Sequence, residues 1–319
     1  METKISRMLG IEYPIIMAPM FLVSNTPMVI AALESGITAA FPALNYRTDK
    51  DLRAAIHEIR SKTQKPFGVN LIVNKSNFKY KEQLKTCLEL RVNFIITSLG
   101  NPKETIEGCK NLGIKVFCDV IDLTYAMKVE ALGADAVIAV NSEAGGHAGN
   151  LKSEELIPLL KKNLRIPIIS AGGVATGAQL KKVIDLGADA ASIGTIFIAS
   201  DEAPVSNEYK KALIEYGAKD IVMTTKLSGS ALTVINTPYV QSMGTKATFL
   251  ESLLNKNKWL KKYVKLFLAV KGMKAIEKAA FSTTYKTVWC AGPAIEHIHS
   301  IRPLKEIIKT LIKEFQKFK

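Results

Sequence analysis

Residues 168–198, IISAGGVATGAQLKKVIDLGADAASIGTIFI, contain the pattern that decides the fold. Two short apolar runs, at 168–171 and 190–193, each lead into a glycine-containing turn and then a helical segment. Apolar strands that alternate with helices are typical of parallel sheets whose faces those helices cover. This stretch therefore predicts two successive strand–helix units of a parallel α/β fold.

The same strand–helix unit recurs along the first two thirds of the chain. Apolar runs predict strands at residues 15–17, 38–43, 67–72, 94–97, 115–118, 136–140, 168–171 and 190–193; helical patterns follow them at 27–34, 49–62, 81–90, 102–111, 123–132, 154–162 and 176–186, with a short helix after residue 193. A doubly wound open sheet shows the same alternation, but eight units favour closure. We therefore predict an α/β fold of the (β/α)8 TIM-barrel class.

The alternation stops near residue 200, and this change defines the predicted domain boundaries. We assign residues 1–200 to the barrel, 201–300 to a mostly helical, substrate-side subdomain inserted after strand eight, and 301–319 to a C-terminal helix that closes on the barrel. Within the subdomain, residues 257–267 (NKWLKKYVKLF) form a basic amphipathic pattern. Such a helix could contact a membrane or a partner, but it more often packs its apolar face on its own domain.

Composition and charge argue against several classes of protein. The 319 residues carry 43 Lys and Arg against 29 Asp and Glu, a formal net charge of +14. Because the basic residues are spread along the chain, we expect no nucleic-acid partner; a positive field would attract anionic small molecules. The sequence has neither a signal peptide nor the ~20 apolar residues of a membrane span, so we expect a cytoplasmic protein. The four cysteines lack metal-ligand spacing, and we expect no metal site.

Glycines follow the seventh and eighth apolar runs, at the strand ends where barrel enzymes place their active sites. Gly172 and Gly173 come after the seventh run, whereas Ser192, Gly194 and Thr195 end or follow the eighth. Glycine lets backbone N–H groups approach an anion closely, and a helix that starts there adds positive potential. A tight turn for packing is the alternative for each motif alone. At these two positions together, the motifs predict a phosphate-binding site.

Three other strand ends carry candidate site residues. His147 lies in the loop NSEAGGHAG (141–149) after the sixth run, where small neighbours leave space for a flat ligand. An imidazole can act as a base or a hydrogen-bond donor near neutral pH, so His147 is the candidate catalytic residue. Ala18 and Met20 follow the first run, and Asn70 lies at the end of the third. Met20 could equally fill the core, and Asn70 could equally cap a turn.

Four motifs occur in an order that resembles a known enzyme family. They are YPIIMAPM (13–20), FGVNL (67–71), EAGGH (143–147) and SAGGV (170–174). In these motifs, and on to IRP at 301–303, the chain is similar to the nitronate monooxygenases, once called 2-nitropropane dioxygenases. The resemblance implies an FMN-binding barrel that oxidises alkyl nitronates with O2, with His147 as the catalytic histidine. The FMN contacts it implies fall on Asn70, Gly145, Gly173 and the segment from Ser192 through Gly194 to Thr195, with Ala18 and Met20 near the flavin ring.

The chain departs from the family at four positions. Many members carry Gln where Val140 stands and Gly where Asn141 stands. Many also carry Arg where Ser230 stands and Gln where Pro293 stands. These differences leave FMN binding expected, but they leave the identity of the substrate open.

Two alternative functions also remain open from the sequence. The first is an FMN-dependent NAD(P)H reductase of quinones or enoyl thioesters, since enoyl-acyl-carrier-protein reductases share a similar Gly-Gly-His loop. Those enzymes tend to have Gly-Gly-Met after strand one, where this chain has Ala18-Pro19-Met20, and this difference favours the monooxygenases. The second alternative is a flavin- or phosphate-binding protein without turnover. The oligomeric state is open, with a homodimer as one option.

Overall fold

The strands form a closed barrel and one small separate sheet. A computed structural model describes residues 2–75, 77–225, 231–245 and 288–318. The barrel strands are β1 (Ile15–Met17), β2 (Thr38–Pro42), β3 (Gly68–Ile72), β4 (Phe94–Ser98), β5 (Lys115–Val120), β6 (Ala136–Val140), β8 (Ile168–Ala171) and β9 (Ala190–Ile193), while β7 (Gly146–His147) lies outside the barrel. All eight barrel strands are parallel, and β1 pairs with both β2 and β9. The predicted (β/α)8 barrel is therefore confirmed.

Helices follow the barrel strands, as the alternation predicts. They are α1 (Lys4–Leu9), α2 (Thr26–Glu34), α3 (Asp49–Lys62), α4 (Tyr80–Glu89), α5 (Lys103–Cys109), α6 (Leu123–Ala131), α7 (Ser153–Asn163), α8 (Gly177–Asp185), α9 (Thr195–Ile198), α10 (Asn207–Glu215), α11 (Pro238–Met243) and α12 (Leu304–Gln316). Within the described ranges, no helix has the length and apolar character needed to cross a membrane.

The inside of the barrel changes from apolar to polar along the strands. Because side chains alternate across a strand, every second residue points inward. The rings of Phe94 and Phe117 stack inside the barrel with centroids 5.0 Å apart. Ile5 and Leu9 of α1, a helix that the sequence analysis did not predict, join the same apolar cluster near the strand starts. The opposite end, where the strands stop, is left for polar side chains.

A three-stranded antiparallel sheet lies beside the end of the barrel where the strands stop. Its central strand, β11 (Leu232–Ile235), pairs with β10 (Ile221–Thr224) and with β7. The expectation of a mostly helical region at 201–300 did not include this sheet, because β11 finds one partner 85 residues earlier in the chain, where its Leu232 is opposite His147. The amphipathic segment 257–267 lies outside the described residues.

The last helix, α12, packs on the barrel helices α8 and α2. Its buried residues recur at helical spacing: Leu304, Ile307, Ile308, Leu311, Ile312 and Phe315. The contact with α8 is close because Gly177 has no side chain: a Cβ there would overlap the backbone at Glu314 and Phe315. The Gly177 N–H donates a hydrogen bond to Glu314 Oε2 at 2.9 Å. The close packing of α12 against α8 therefore requires glycine at position 177.

Gly177→Ala should lower the free energy of unfolding by about 1–3 kcal/mol, the usual cost of overpacking. Helix propensity alone would favour alanine by about 1 kcal/mol, so a net loss identifies the clash with α12. Urea denaturation followed by circular dichroism measures the difference. The control is Ala178→Ser at the exposed neighbouring position, which should change stability by less than about 0.5 kcal/mol. A Gly177→Ala protein as stable as the wild type would contradict this account of the packing.

Candidate active site

The candidate residues lie at the mouth of the barrel, where the strands end. A cavity of about 250 Å³ lies at the opposite end, lined by residues such as Met8, Arg91 and Lys115. None of the predicted site residues lines that cavity. Since barrel enzymes use the carboxyl ends of their strands, the mouth is the candidate site.

The loop after β8 offers backbone donors. Gly172 and Gly173 have φ values of +115° and +77°, which favour glycine. Within the described residues, no acceptor is found for the N–H groups of Gly172, Gly173 and Val174. The next two N–H groups, of Ala175 and Thr176, are already bonded to Gln179 Oε1 at 2.8 and 3.1 Å. The unpaired donors are therefore confined to the glycine turn.

The end of β9 brings further predicted residues together. A Cβ on Gly194 would lie 3.4 Å from Met20 Sδ and 3.6 Å from Ala18 Cβ, so this turn touches the segment after β1. The Ala18 N–H donates to Ile193 O at 2.8 Å, which fixes the two strand ends to each other. Ser192 is 6% exposed and points inward, and its hydroxyl makes no hydrogen bond to any described residue. Ala18, Met20, Ser192 and Gly194 therefore border one region of the mouth.

The loop after β6 approaches β9 through a second pair of glycines. A Cβ on Gly145 would lie 3.0 Å from both Thr195 Oγ1 and Gly292 N. The Gly292 N–H donates to Thr195 Oγ1 at 3.1 Å, and a Cβ on Gly292 would overlap Glu143 O. The sequence analysis predicted Gly145 and Thr195 but missed Gly292, which precedes Pro293. Three distant segments of chain therefore meet where these residues lie.

Asn141 holds the loop after β6 against the loop after β8. Its side chain is 1% exposed; Nδ2 donates to Gly172 O at 3.1 Å, and Oδ1 accepts from Glu143 N at 2.8 Å. A Cβ on Gly172 would overlap Asn141 Oδ1, so the two loops require glycine at 172. The departure from the family at position 141 thus has a structural role. The other departure nearby, Val140, is half-buried and faces inward, whereas Ser230 lies outside the described residues.

Glu143 lies against the predicted phosphate turn. A Cβ on Gly173 would overlap Glu143 Oε2, which places this carboxylate next to the unpaired N–H groups. A carboxylate and a phosphate repel each other at this separation. Binding of an anion at Gly173 therefore requires the half-exposed Glu143 side chain to turn away.

His147 is held at the mouth by the small sheet. It lies on β7, opposite Leu232 of β11. The buried Thr233 hydroxyl, which the sequence analysis missed, lies within hydrogen-bond distance of Ala144 O and of Gly146 O, the latter at 3.3 Å. The imidazole has exposed surface at the open mouth. The protein packed around it nevertheless excludes water, and this desolvation lowers its pKa below the ordinary value of 6.5. His147 is therefore neutral at pH 7 and able to accept a proton.

Asn70 faces the glycine turn from across the mouth. Three strands lie between β3 and β8 in either direction around the barrel, so the two strands face each other. Asn70 is 6% exposed, and its Nδ2 donates to Ile96 O at 3.2 Å and to Ser98 Oγ at 2.7 Å. The structure therefore separates Asn70 from Gly172 and Gly173 by the full width of the barrel.

The chemistry available at the mouth does not include a metal cluster or a reactive thiol of the described residues. No group of three or more His, Cys, Asp or Glu side chains in the described ranges is placed to hold a metal ion. Burial raises the pKa of Cys290, two residues before Gly292, to about 11 and that of Cys109 and Cys118 to about 12, so these thiols stay protonated near neutral pH. The site consists instead of backbone donors, the Asn70 amide, the Ser192 hydroxyl, the Glu143 carboxylate and the neutral His147 imidazole.

Known proteins are similar in sequence to this chain over most of its length. The sequence profile of the nitronate monooxygenase family matches residues 74–314. The nitronate monooxygenase of Paraburkholderia phytofirmans is 29% identical over 268 residues, which cover 70% of this chain and 73% of the relative. An octahydroindene-carboxyl-CoA dehydrogenase of Rhodococcus jostii is 28% identical over 243 residues, 76% of this chain and 68% of the relative.

Solved structures share the fold. FabK from Thermotoga maritima matches with a TM-score of 0.86 and 30% identity, over 100% of this chain and 97% of FabK. A nitroalkane oxidase from Streptomyces ansochromogenes matches with a TM-score of 0.82 and 22% identity, over 98% of each chain. Because the family profile spans most of the sequence, the predicted family is confirmed: the chain belongs to the nitronate monooxygenase family and is an oxidoreductase that acts on a small molecule.

Proposed function

We propose that the protein is an FMN-dependent nitronate monooxygenase that oxidises alkyl nitronates with O2. One observation carries the proposal: unpaired backbone donors at Gly172 and Gly173 lie across the mouth from the amide of Asn70. A flavin mononucleotide has a phosphate at one end and hydrogen-bonding ring atoms at the other, so its two ends match these two sides. The family of the chain supports the same reading.

The residues present fit such a cofactor. The N–H groups of Gly172, Gly173 and Gly194, together with the Ser192 hydroxyl, would hold the phosphate once Glu143 turns away. The Asn70 amide would meet the ring at the far side, with Ala18, Met20 and Gly145 as small or flexible neighbours. When bound, the flavin supplies the redox chemistry, taking electrons from the substrate and passing them to O2.

The chain itself supplies a base and a positive field. The neutral His147 imidazole would accept the proton that a nitroalkane loses from the carbon next to its nitro group, which leaves the nitronate anion. A nitronate added as such needs no proton removed, and His147 would then orient it. The net charge of +14 would draw the anion toward the protein.

A second candidate function is an FMN-dependent NAD(P)H reductase of quinones or enoyl thioesters. The similarity to a carboxyl-CoA dehydrogenase is as strong as the similarity to nitronate monooxygenases, and this observation favours redox chemistry on a thioester. The positions Val140 and Asn141, where many members of the family carry Gln and Gly, leave the substrate side open to this alternative.

The purified protein should release FMN, and not FAD, on heating. The described mouth offers one anion-binding turn at each of β8 and β9, next to each other, and the sequence has no dinucleotide fingerprint. Chromatography of the released flavin decides between the two. Nitronate consumption under air without NAD(P)H is expected; flavin reduction by NADH without air, together with inertness toward nitronates, would instead favour the thioester or quinone reductase.

Gly173→Asp should abolish FMN binding while the barrel stays folded. The new carboxylate would stand beside Glu143 and face the phosphate, where it adds like-charge repulsion. Gly173→Asn is the matched control, because asparagine has nearly the same shape, tolerates positive φ equally well and has no charge. In a fluorescence titration, Gly173→Asp should bind FMN at least about tenfold more weakly than Gly173→Asn. The circular dichroism spectra of both variants should match that of the wild type. Equal affinities of Gly173→Asp and the wild type would exclude phosphate binding here.

His147→Ala should keep FMN bound and slow the turnover of neutral nitroalkanes by about 10²–10⁴-fold. Preformed nitronates should be affected less, because they need no base. In the wild type, nitroalkane turnover should fall as the pH drops through a pKa below 6.5, because protonation removes the base. Steady-state kinetics with both substrate forms measure this, with His57→Ala on the exposed face of α3 as the control. Unchanged turnover of both substrates in His147→Ala would remove His147 from the mechanism.

A further inference from the structure

A chain of three side chains crosses the floor of the mouth. Ser98 accepts a hydrogen bond from Asn70 Nδ2 at 2.7 Å and donates one to Asp119 Oδ2 at 2.5 Å. Each lies on the inner face of its strand: Ser98 follows the inward Ile96 by two residues, and Asp119 likewise follows Phe117. The chain therefore runs from β3 across β4 to β5, through the interior of the barrel.

The hydrogen-bond directions in this chain are determined by its chemistry. Ser98 has a single hydroxyl hydrogen, and an ionised Asp119 can only accept it. Ser98 must then accept from Asn70, whose second amide hydrogen goes to Ile96 O at 3.2 Å. Both amide hydrogens of Asn70 are thereby used inside the protein. Its carbonyl oxygen is left as the atom available to a ligand at the mouth.

Asp119 is an acid without a cationic partner in the described ranges. Burial raises its pKa from 3.8 to about 6, and the Ser98 hydrogen bond opposes this rise; no Lys or Arg contributes. The other titratable groups that sense its charge are the Tyr125 phenol of α6 and the Cys118 thiol on the outer face of β5. Burial raises the pKa of both to about 12, so neither titrates together with Asp119 near neutral pH.

We propose that Asp119, acting through Ser98, is a positioning residue that presents the Asn70 carbonyl oxygen to the flavin and places a titratable negative charge on that side of the mouth. This inference rests on the proposed flavin function. At a pH above the pKa of Asp119, the ionised carboxylate holds the Asn70–Ser98–Asp119 hydrogen bonds in one arrangement. Its negative charge also disfavours a reduced, anionic flavin. Below that pKa the charge disappears, while the carbonyl oxygen of the neutral acid can still accept the hydrogen bond from Ser98.

Asp119→Asn separates the two effects, because its amide oxygen can still accept from Ser98 but has no charge. The measurement is the ratio of the FMN dissociation constants for the oxidised and the reduced flavin. At pH 8 this ratio should rise roughly tenfold in Asp119→Asn, the scale expected for one charge removed from a shielded site. At pH 5 the two proteins should agree, and because the comparison is a difference, the titration of the flavin itself cancels. Equal ratios at pH 8 would overturn the proposal.

Glu104→Gln is the control for loss of a carboxylate in general. Glu104 is exposed in the first turn of α5, which follows β4 at the same end of the barrel. Its removal should leave the ratio of dissociation constants at the wild-type value. A shift as large as that of Asp119→Asn would mean that net charge alone is measured, and it would also overturn the proposal.

Titration of the aspartate side-chain carbons by 13C NMR tests the chain without any flavin. The resonance missing in Asp119→Asn identifies Asp119, and its pKa should rise in Ser98→Ala because the hydrogen bond that favours the ionised form is lost. An unchanged pKa of Asp119 in Ser98→Ala would refute the hydrogen bond between Ser98 and Asp119. Failure of the wild type to bind FMN would refute the proposed function, and with it the role of Asp119 toward a flavin, whatever the NMR result. The two failures are therefore distinguishable.

Discussion

The site depends on backbones that approach each other more closely than a Cβ atom would allow. The loop after β6 meets the loop after β8 at Gly172 and the segment before Pro293 at Gly292, and a side chain at either glycine would overlap the loop. Asn141 and Thr233 then hold the loop by hydrogen bonds from buried side chains. Because buried polar groups are costly when unpaired, these bonds fix one arrangement of the loop. The position of His147 follows from them.

The barrel could be predicted because its signals are local. Helix α3 was predicted with both of its ends correct, since Thr48 caps it and its apolar residues recur at helical spacing. The strands were found because parallel barrel strands are apolar on both faces. Strand β11 was not predicted because it pairs with β7, which is far away in sequence. Helix α1 was not predicted because it is only six residues long.

The site was predicted only in part, for a similar reason. Strand ends and glycines marked Gly172, Gly194 and His147, because position in the barrel determines which residues reach the mouth. The hydrogen bond by which Asn141 joins the loops after β6 and β8 could not be predicted, because its partner Gly172 follows a different strand. From the sequence, Asn141 was noted only as a departure from the family pattern. Asp119 did leave a signal: it is the acid in the otherwise apolar run that ends β5, two residues after the inward Phe117.

An acid held in that position costs stability, and the direction of the cost follows from its pKa. Because the folded-state pKa of Asp119 is raised, the folded protein prefers the protonated form, and the penalty is present above about pH 6 and vanishes as the pH falls below 3.8. An apolar side chain would avoid it, as Phe117 does one inward layer below. An acid without a cationic partner is therefore expected in a barrel interior only near the layer that meets a ligand. The change from stacked phenylalanines near the strand starts to an amide, a hydroxyl and a carboxyl at the strand ends places that boundary between Phe117 and Asp119.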